Sequence, residues 1–267
     1  MVKISTLKRG TSRFYVHPDD GRIKVPGVTS VVDQLPKTFL RFWAVKLTAE
    51  ACVQNKDVWL PLAERDPVGA VDYLKRVHLR QTSDAAKLGS MAHDLFERAA
   101  RGETINPRHV HTSVASHLRW FVEFLDQVQP EFLHLEETVW SDEHQYAGSF
   151  DAIAVIDGER VLLDWKTSAS VYASVALQLS AYRYADRIIR ASDGEHLPMP
   201  TLAGGAVLHV RPEGWKLVPV TCDRNVFSKF LALREVFDWE TEMQRDVIGR
   251  PVVSGGALET GTERRAA

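Results

Sequence analysis

Asp151, Asp164 and Lys166 lie on two apolar runs joined by the turn Asp157-Gly158, an arrangement suited to holding a divalent cation. β-rich runs on either side of an Asp-Gly pair predict a hairpin, here spanning Ala147 to Lys166. Side chains on a strand alternate, so Leu162, Asp164 and Lys166 share one face while Val161, Leu163 and Trp165 take the other. On the partner run Ser149, Asp151, Ile153 and Val155 share a face, and the short turn carries Asp151 towards Asp164. Two ionised carboxylates in an apolar sheet repel and lose hydration, so one protonates unless a cation lies between them. Mg²⁺ prefers carboxylate oxygens, keeps several waters and binds readily beside a phosphate. Lys166 adds an ammonium able to steady a metal-bound hydroxide or to neutralise charge on a pentacovalent phosphorus. An Asp-x-Lys tripeptide on its own is equally an ion pair at a strand end.

Other polar residues sit where they extend this cluster. Glu136 and Glu137 close a strand-like run that starts at Phe132, and Glu137 is preferred over Glu136 as the acid that joins the site. Leu88 to Phe96 is helical in period, with Leu88, Met91, Ala92 and Leu95 on the buried arc and His93 beside it. A lone helical histidine is often a surface or core residue. Here Gly89, one turn earlier, leaves room for a metal or a strand of nucleic acid. Ser170 to Arg190 reads as one long helix that puts Gln178 and Tyr182 on a single stripe at i and i+4. Gln178 falls inside the apolar face, where an unbonded amide costs about 1 to 3 kcal/mol, so it needs a partner. That partner is either a core network or the carboxylates and substrate of a site.

Taken in order, His93, Glu137, Gly148-x-x-Asp151, Asp164-Trp165-Lys166 and Gln178-x-x-x-Tyr182 resemble the RecB-type nuclease module of the PD-(D/E)XK superfamily. The exonucleases of CRISPR adaptation and their phage-encoded relatives belong to that group. The likeness covers residues 85 to 190, and the openings Pro26 to Ser30 and Leu40 to Ala44 are also similar. It implies metal-dependent hydrolysis of DNA phosphodiesters, as an exonuclease in replication, recombination or repair. It further implies that His93, Asp151 and Asp164 ligate Mg²⁺ or Mn²⁺ and that Lys166 orients the attacking water. Glu137 would support the metal or its water, and Gln178 and Tyr182 would hold the substrate. Several such relatives carry four cysteines for an iron-sulfur cluster. This chain has Cys52 and Cys222, too few for one protomer to build one, so no iron-sulfur cluster is expected.

The elements that must position these residues follow from the rest of the chain. With 267 residues, 45% hydrophobic and 25% charged, there is enough core for one α/β domain over residues 1 to 250. Residues 1 to 130 would form an N-terminal hairpin and helical wall, and 131 to 250 a mixed sheet flanked by helices. Helices are predicted near 36 to 53, 67 to 80, 83 to 101 and 112 to 128, the last capped by Thr112 or Ser113. Strands are predicted at 132 to 140, 146 to 156 and 160 to 167, a second hairpin at 201 to 220, and a closing helix at 225 to 245. After Arg250 a polar stretch reads as a flexible tail.

Net charge is −2, which does not announce a nucleic-acid binder. Residues 1 to 30 nevertheless hold six basic residues against two acidic ones, a basic hairpin suited either to tracking phosphates or to covering a sheet edge. Trp43, Trp120 and Phe121 are either base-stacking residues of a channel or core. No run is long enough to span a membrane and no signal-peptide core opens the chain, so a cytoplasmic protein of a bacterium or phage host is expected, with DNA as partner and no membrane. A homo-oligomer is compatible with the sequence. A non-catalytic DNA-end-binding recombination partner is the alternative; a Ser/His/Asp hydrolase lacks its Gly-x-Ser-x-Gly elbow.

Overall fold

The computed structural model describes residues 4–250 together with 252, 253, 255 and 256. Most of the expected tail therefore lies outside the described residues. The chain opens on an antiparallel sheet of β1 (Thr6–Arg9), β2 (Ser12–Val16) and β3 (Lys24–Pro26). Gly10, at φ +59°, makes the first turn in a conformation that a side chain disfavours. The segment from His17 to Ile23 joins β2 to β3, with the His17 N–H donated to the Ile23 carbonyl.

A short helix α1 (Val28–Val32) buries Val28, Val31 and Val32. Then come α2 (Thr38–Gln54), α3 (Lys56–Arg65), α4 (Pro67–Lys75), α5 (Val77–Ala100) and α6 (Thr112–Val128). Helix α3 was not among the expected helices, and it holds Pro61 inside it. α4 starts where the Asp66 carboxylate accepts the Gly69 N–H and Pro67 takes the first turn. α6 is capped by His111, whose Nδ1 accepts the Ser113 N–H, not by Thr112 or Ser113.

The main sheet is seven-stranded and mixed. Its strands are β4 (Glu131–Ser141), β5 (Tyr146–Ile156), β6 (Glu159–Lys166), β7 (Arg187–Ile189), β8 (His196–Pro198), β9 (Gly204–Arg211) and β10 (Gly214–Val220). They are ordered β10-β9-β6-β5-β4-β7-β8, with β6 and β9 parallel and the other neighbours antiparallel. Helix α7 (Ser174–Arg183) lies between β6 and β7, and α8 (Arg224–Thr241) follows β10. The expected helix from Ser170 to Arg190 is thus too long at both ends. Ile188 and Ile189 instead pair with Val139 and Thr138 of β4, a use that suits β-branched residues. Asp186 makes the corner by accepting the backbone N–H groups of Asp142 and Glu143.

Apolar residues fill both sides of this sheet. On one, Phe150, Ile153, Leu162 and Val207 pack with α1, α7 and α8; on the other, Ala152, Leu163, Trp165 and Leu208 pack with α5 and α6. Phe121 belongs to this second core, stacked on Phe96 at 4.3 Å and edge-on to Trp165 at 5.2 Å. Trp120 packs partly against the same core and donates its indole N–H to the Pro212 carbonyl. Both therefore take the core reading offered by the sequence.

Candidate metal centre

The β5–β6 ladder ends at the pair Ala152↔Leu163. Asp151 and Asp164 are the next residues on each strand, at the point where the strands part. Parting leaves backbone groups without their ladder partners, and the Asp151 carboxylate takes one of them. Its Oδ2 accepts the Trp165 N–H at 2.5 Å. Trp165 itself is wedged among Phe96 and Phe121, and this anchor fixes the rotation of β6 that presents Asp164 and Lys166.

α5 brings His93 to the same place. Its Nδ1 lies 3.3 Å from Asp151 Oδ1, and its ring is 6.1 Å from that of Trp165. Gly89, one turn earlier, serves a neighbouring contact: a Cβ there would meet Thr167 Oγ1 at 3.7 Å, so the helix runs close to the chain leaving β6.

The acid that completes this group is Glu136, which corrects the expectation of Glu137. One donor atom from each of His93, Glu136 and Asp151 falls within 4.8 Å of the others. Glu137 is 8% exposed and bonds His134, Oε2 to Nδ1 at 2.7 Å, away from the cluster. The reason is a change of phase in the strands. Leu135 and Ala152 lie in the core beneath α5 and α6, whereas Val139 and Phe150, an even number of residues along, lie in the opposite core. Strict alternation would keep them on one side. Glu136 has φ +52°, a left-handed backbone for a residue with a side chain, and it stands across from Asp151, between the pairs Leu135↔Ala152 and Glu137↔Phe150. Folding the sequence about a turn at Asp142 to Gln145 would have placed Glu136 opposite Asp151; nothing in it signals the left-handed residue.

Asp164 sits beside the group of three and is held differently. It is 3% exposed; Oδ1 accepts a hydrogen bond from Gln178 Nε2 at 3.1 Å, and Oδ2 lies 2.5 Å from Lys166 Nζ. That second oxygen has an ion pair but no partner in hydrogen-bond geometry among the described residues. Gln178 also donates to the Tyr182 hydroxyl at 3.1 Å, so the i, i+4 pair read from the sequence forms the network expected for a buried amide. Gly148 makes room for it. A Cβ there would come within 2.6 Å of Tyr182 Cε1.

The electrostatics are those of a crowded anionic site. Burial, reinforced by Asp151, pushes the Asp164 carboxyl up to about 6 against the pull of Lys166. Burial also acts against ionised Asp151, but His93, Lys166 and the Trp165 N–H outweigh it and hold its carboxyl below the ordinary value. For His93 and Lys166 burial disfavours the cation, yet the neighbouring acids leave both above their ordinary values. Two carboxylates and an imidazole form a donor set that suits a divalent ion.

No family model matches the chain, and no curated protein matches it. Among the solved structures that do is one described as "Crystal structure of SSO0001", 15% identical, with the match covering 47% of this chain and 58% of that chain at a TM-score of 0.28. A likeness of that size carries no argument. Among the described residues no helix is long and apolar enough to cross a membrane.

Proposed function

We propose that this protein is a PD-(D/E)XK nuclease that uses Mg²⁺ or Mn²⁺ to hydrolyse DNA phosphodiesters, acting as an exonuclease. The observation that carries the reading is the meeting of His93, Glu136 and Asp151 within 4.8 Å where β5 and β6 part, beside the buried pair Asp164 and Lys166. The order of these residues along the chain, which resembles the RecB-type module, supports it.

His93, Glu136 and Asp151 would hold the ion, with Asp164 adjacent. A bound divalent ion would polarise the phosphoryl oxygens and lower the pKa of a coordinated water. The protein's own groups do the rest. Trp165 N–H fixes one oxygen of Asp151, which leaves the other directed at His93. Lys166 supplies positive charge where a pentacovalent phosphorus gains negative charge. Gln178 and Tyr182 hold Asp164 in place, and are positioning residues in this account.

Incubation with end-labelled linear and circular DNA, single- and double-stranded, tests the reading. Loss of linear forms with Mg²⁺ or Mn²⁺, none with chelator, and none for folded Lys166→Ala is the expected result. Binding without turnover under every metal would replace it with the non-catalytic end-binding reading.

A further inference from the structure

A cavity of about 330 Å³ opens beside the metal centre and shares Glu136 with it. Its lining carries the polar Arg13, Tyr15, Thr138 and Ser149 together with the apolar Ile4, Ile189 and Ala191. The volume lies at the small end of ligand sites, which run from about 300 to 1,000 Å³.

The polar wall has donors to spare. Ser149 Oγ lies 3.3 Å from the Tyr15 hydroxyl and 3.4 Å from Thr138 Oγ1, and the Tyr15 oxygen also accepts the Ser149 N–H at 3.2 Å. Three hydroxyl protons share two hydroxyl contacts, so at least one O–H is left to donate. Tyr15 and Thr138 are 5% and 8% exposed, so a group entering the cavity is the natural acceptor. Arg13 is bonded through its backbone to Ser30 and Gly27, and its guanidinium has no partner among the described residues. Glu97, the second acid of the lining, is engaged by Arg101 at 2.9 Å. Its place one turn beyond His93 on α5 is what joins the cavity to the centre.

We infer that this cavity binds one nucleotide, its phosphate against Arg13 and the Tyr15–Ser149–Thr138 hydroxyls and its base against Ile4, Ile189 and Ala191. An unpaired guanidinium with spare hydroxyl donors is matched to a phosphate, and the apolar part of the lining to a flat base. The cavity has room for a single nucleotide, so it would seat the terminal residue of a strand whose next phosphate lies at the metal centre. The inference rests on the nuclease reading for the source of the nucleotide, whereas the chemistry of the pocket is independent of it.

Calorimetric titration of the intact protein with thymidine 5′-monophosphate, thymidine and inorganic phosphate, with and without Mn²⁺, tests it. The monophosphate should bind, and both fragments should bind about tenfold or more weakly. Arg13→Ala and Thr138→Val should each weaken the monophosphate about tenfold, the loss expected for a hydrogen bond to a charged group, with Mn²⁺ uptake unchanged. Equal affinity for inorganic phosphate, or a monophosphate isotherm unaltered in Arg13→Ala, would overturn the assignment. Nucleotide binding by a protein that cuts no DNA would leave the pocket standing and remove the nuclease. DNA cleavage without Arg13-dependent nucleotide binding would do the reverse.

Discussion

Glu136 stands across the β4–β5 ladder from Asp151, and its left-handed backbone, φ +52°, marks the point where the two strands change which core their side chains enter. A conformation that a side chain disfavours by roughly 1 to 2 kcal/mol is maintained at the residue that completes the group with His93 and Asp151. Glu136→Gly should therefore leave the fold unharmed or stabilise it by up to about 1 kcal/mol, after the extra freedom glycine gives the unfolded chain. The same variant should lose at least about tenfold in Mn²⁺ affinity. Glu137→Gln should show the opposite pattern: metal affinity kept, and stability lowered through the broken His134 contact. Chemical denaturation and calorimetry on both variants decide between them.

Gly148 is tested by its neighbour. Adding a methyl group places a carbon 2.6 Å from Tyr182 Cε1, and Tyr182 is 2% exposed and cannot swing away. Gly148→Ala should cost on the order of 1 to 3 kcal/mol, the usual range for overpacking. Because Tyr182 holds Gln178 and Gln178 holds Asp164, cleavage should fall as well. Pairing the change with Tyr182→Leu should recover stability more than activity, measured by urea midpoints and turnover.

His117, on α6, provides a pH prediction of its own. It is 2% exposed, and neither ring nitrogen has a partner in hydrogen-bond geometry among the described residues. Burial, with Arg211 facing it and only partly offset by Glu213, pushes its pKa down. The unfolded chain then takes up the proton first, so His117 contributes full stability above its ordinary value near 6.5. That contribution is lost as pH falls from there towards the lowered folded value, and is flat below it. The acid side of a stability profile between about pH 5 and 7.5 should be shallower in His117→Leu than in the parent.

Asp164 and Lys166 predict how the metal-free protein behaves. A carboxyl raised by burial and by Asp151 works against folding as pH rises through about 6. In chelator, Asp164→Asn should be at least as stable as the parent near neutral pH, and Mn²⁺ should raise the parent's melting temperature more than the variant's. Thermal scans with Mn²⁺ and with chelator give both comparisons.

Much of this centre could be read from residue order. Asp151, Asp164, Lys166, Gln178 and Tyr182 come together as expected because hairpin register and helical period are local rules, and each is obeyed from Ala152 to Lys166 and along α7. Glu136 could not be chosen over Glu137 by alternation, since the alternation itself breaks there. The over-long helix after Ser170 failed for another reason: Arg187–Ile189 is a strand only because β4 offers it an edge, a tertiary effect with no local mark. Helix α3, between two of the expected helices, carries Pro61 inside it, a residue that weakens the local helix signal.

The central claim is that His93, Glu136 and Asp151 take up a divalent ion. Calorimetric titration of the purified, chelator-stripped protein with Mn²⁺, beside folded Asp151→Asn, tests it most directly. The account predicts saturable uptake by the parent and at least about a tenfold loss in the variant. A titration without heat of binding, or identical isotherms for the two proteins, would contradict it.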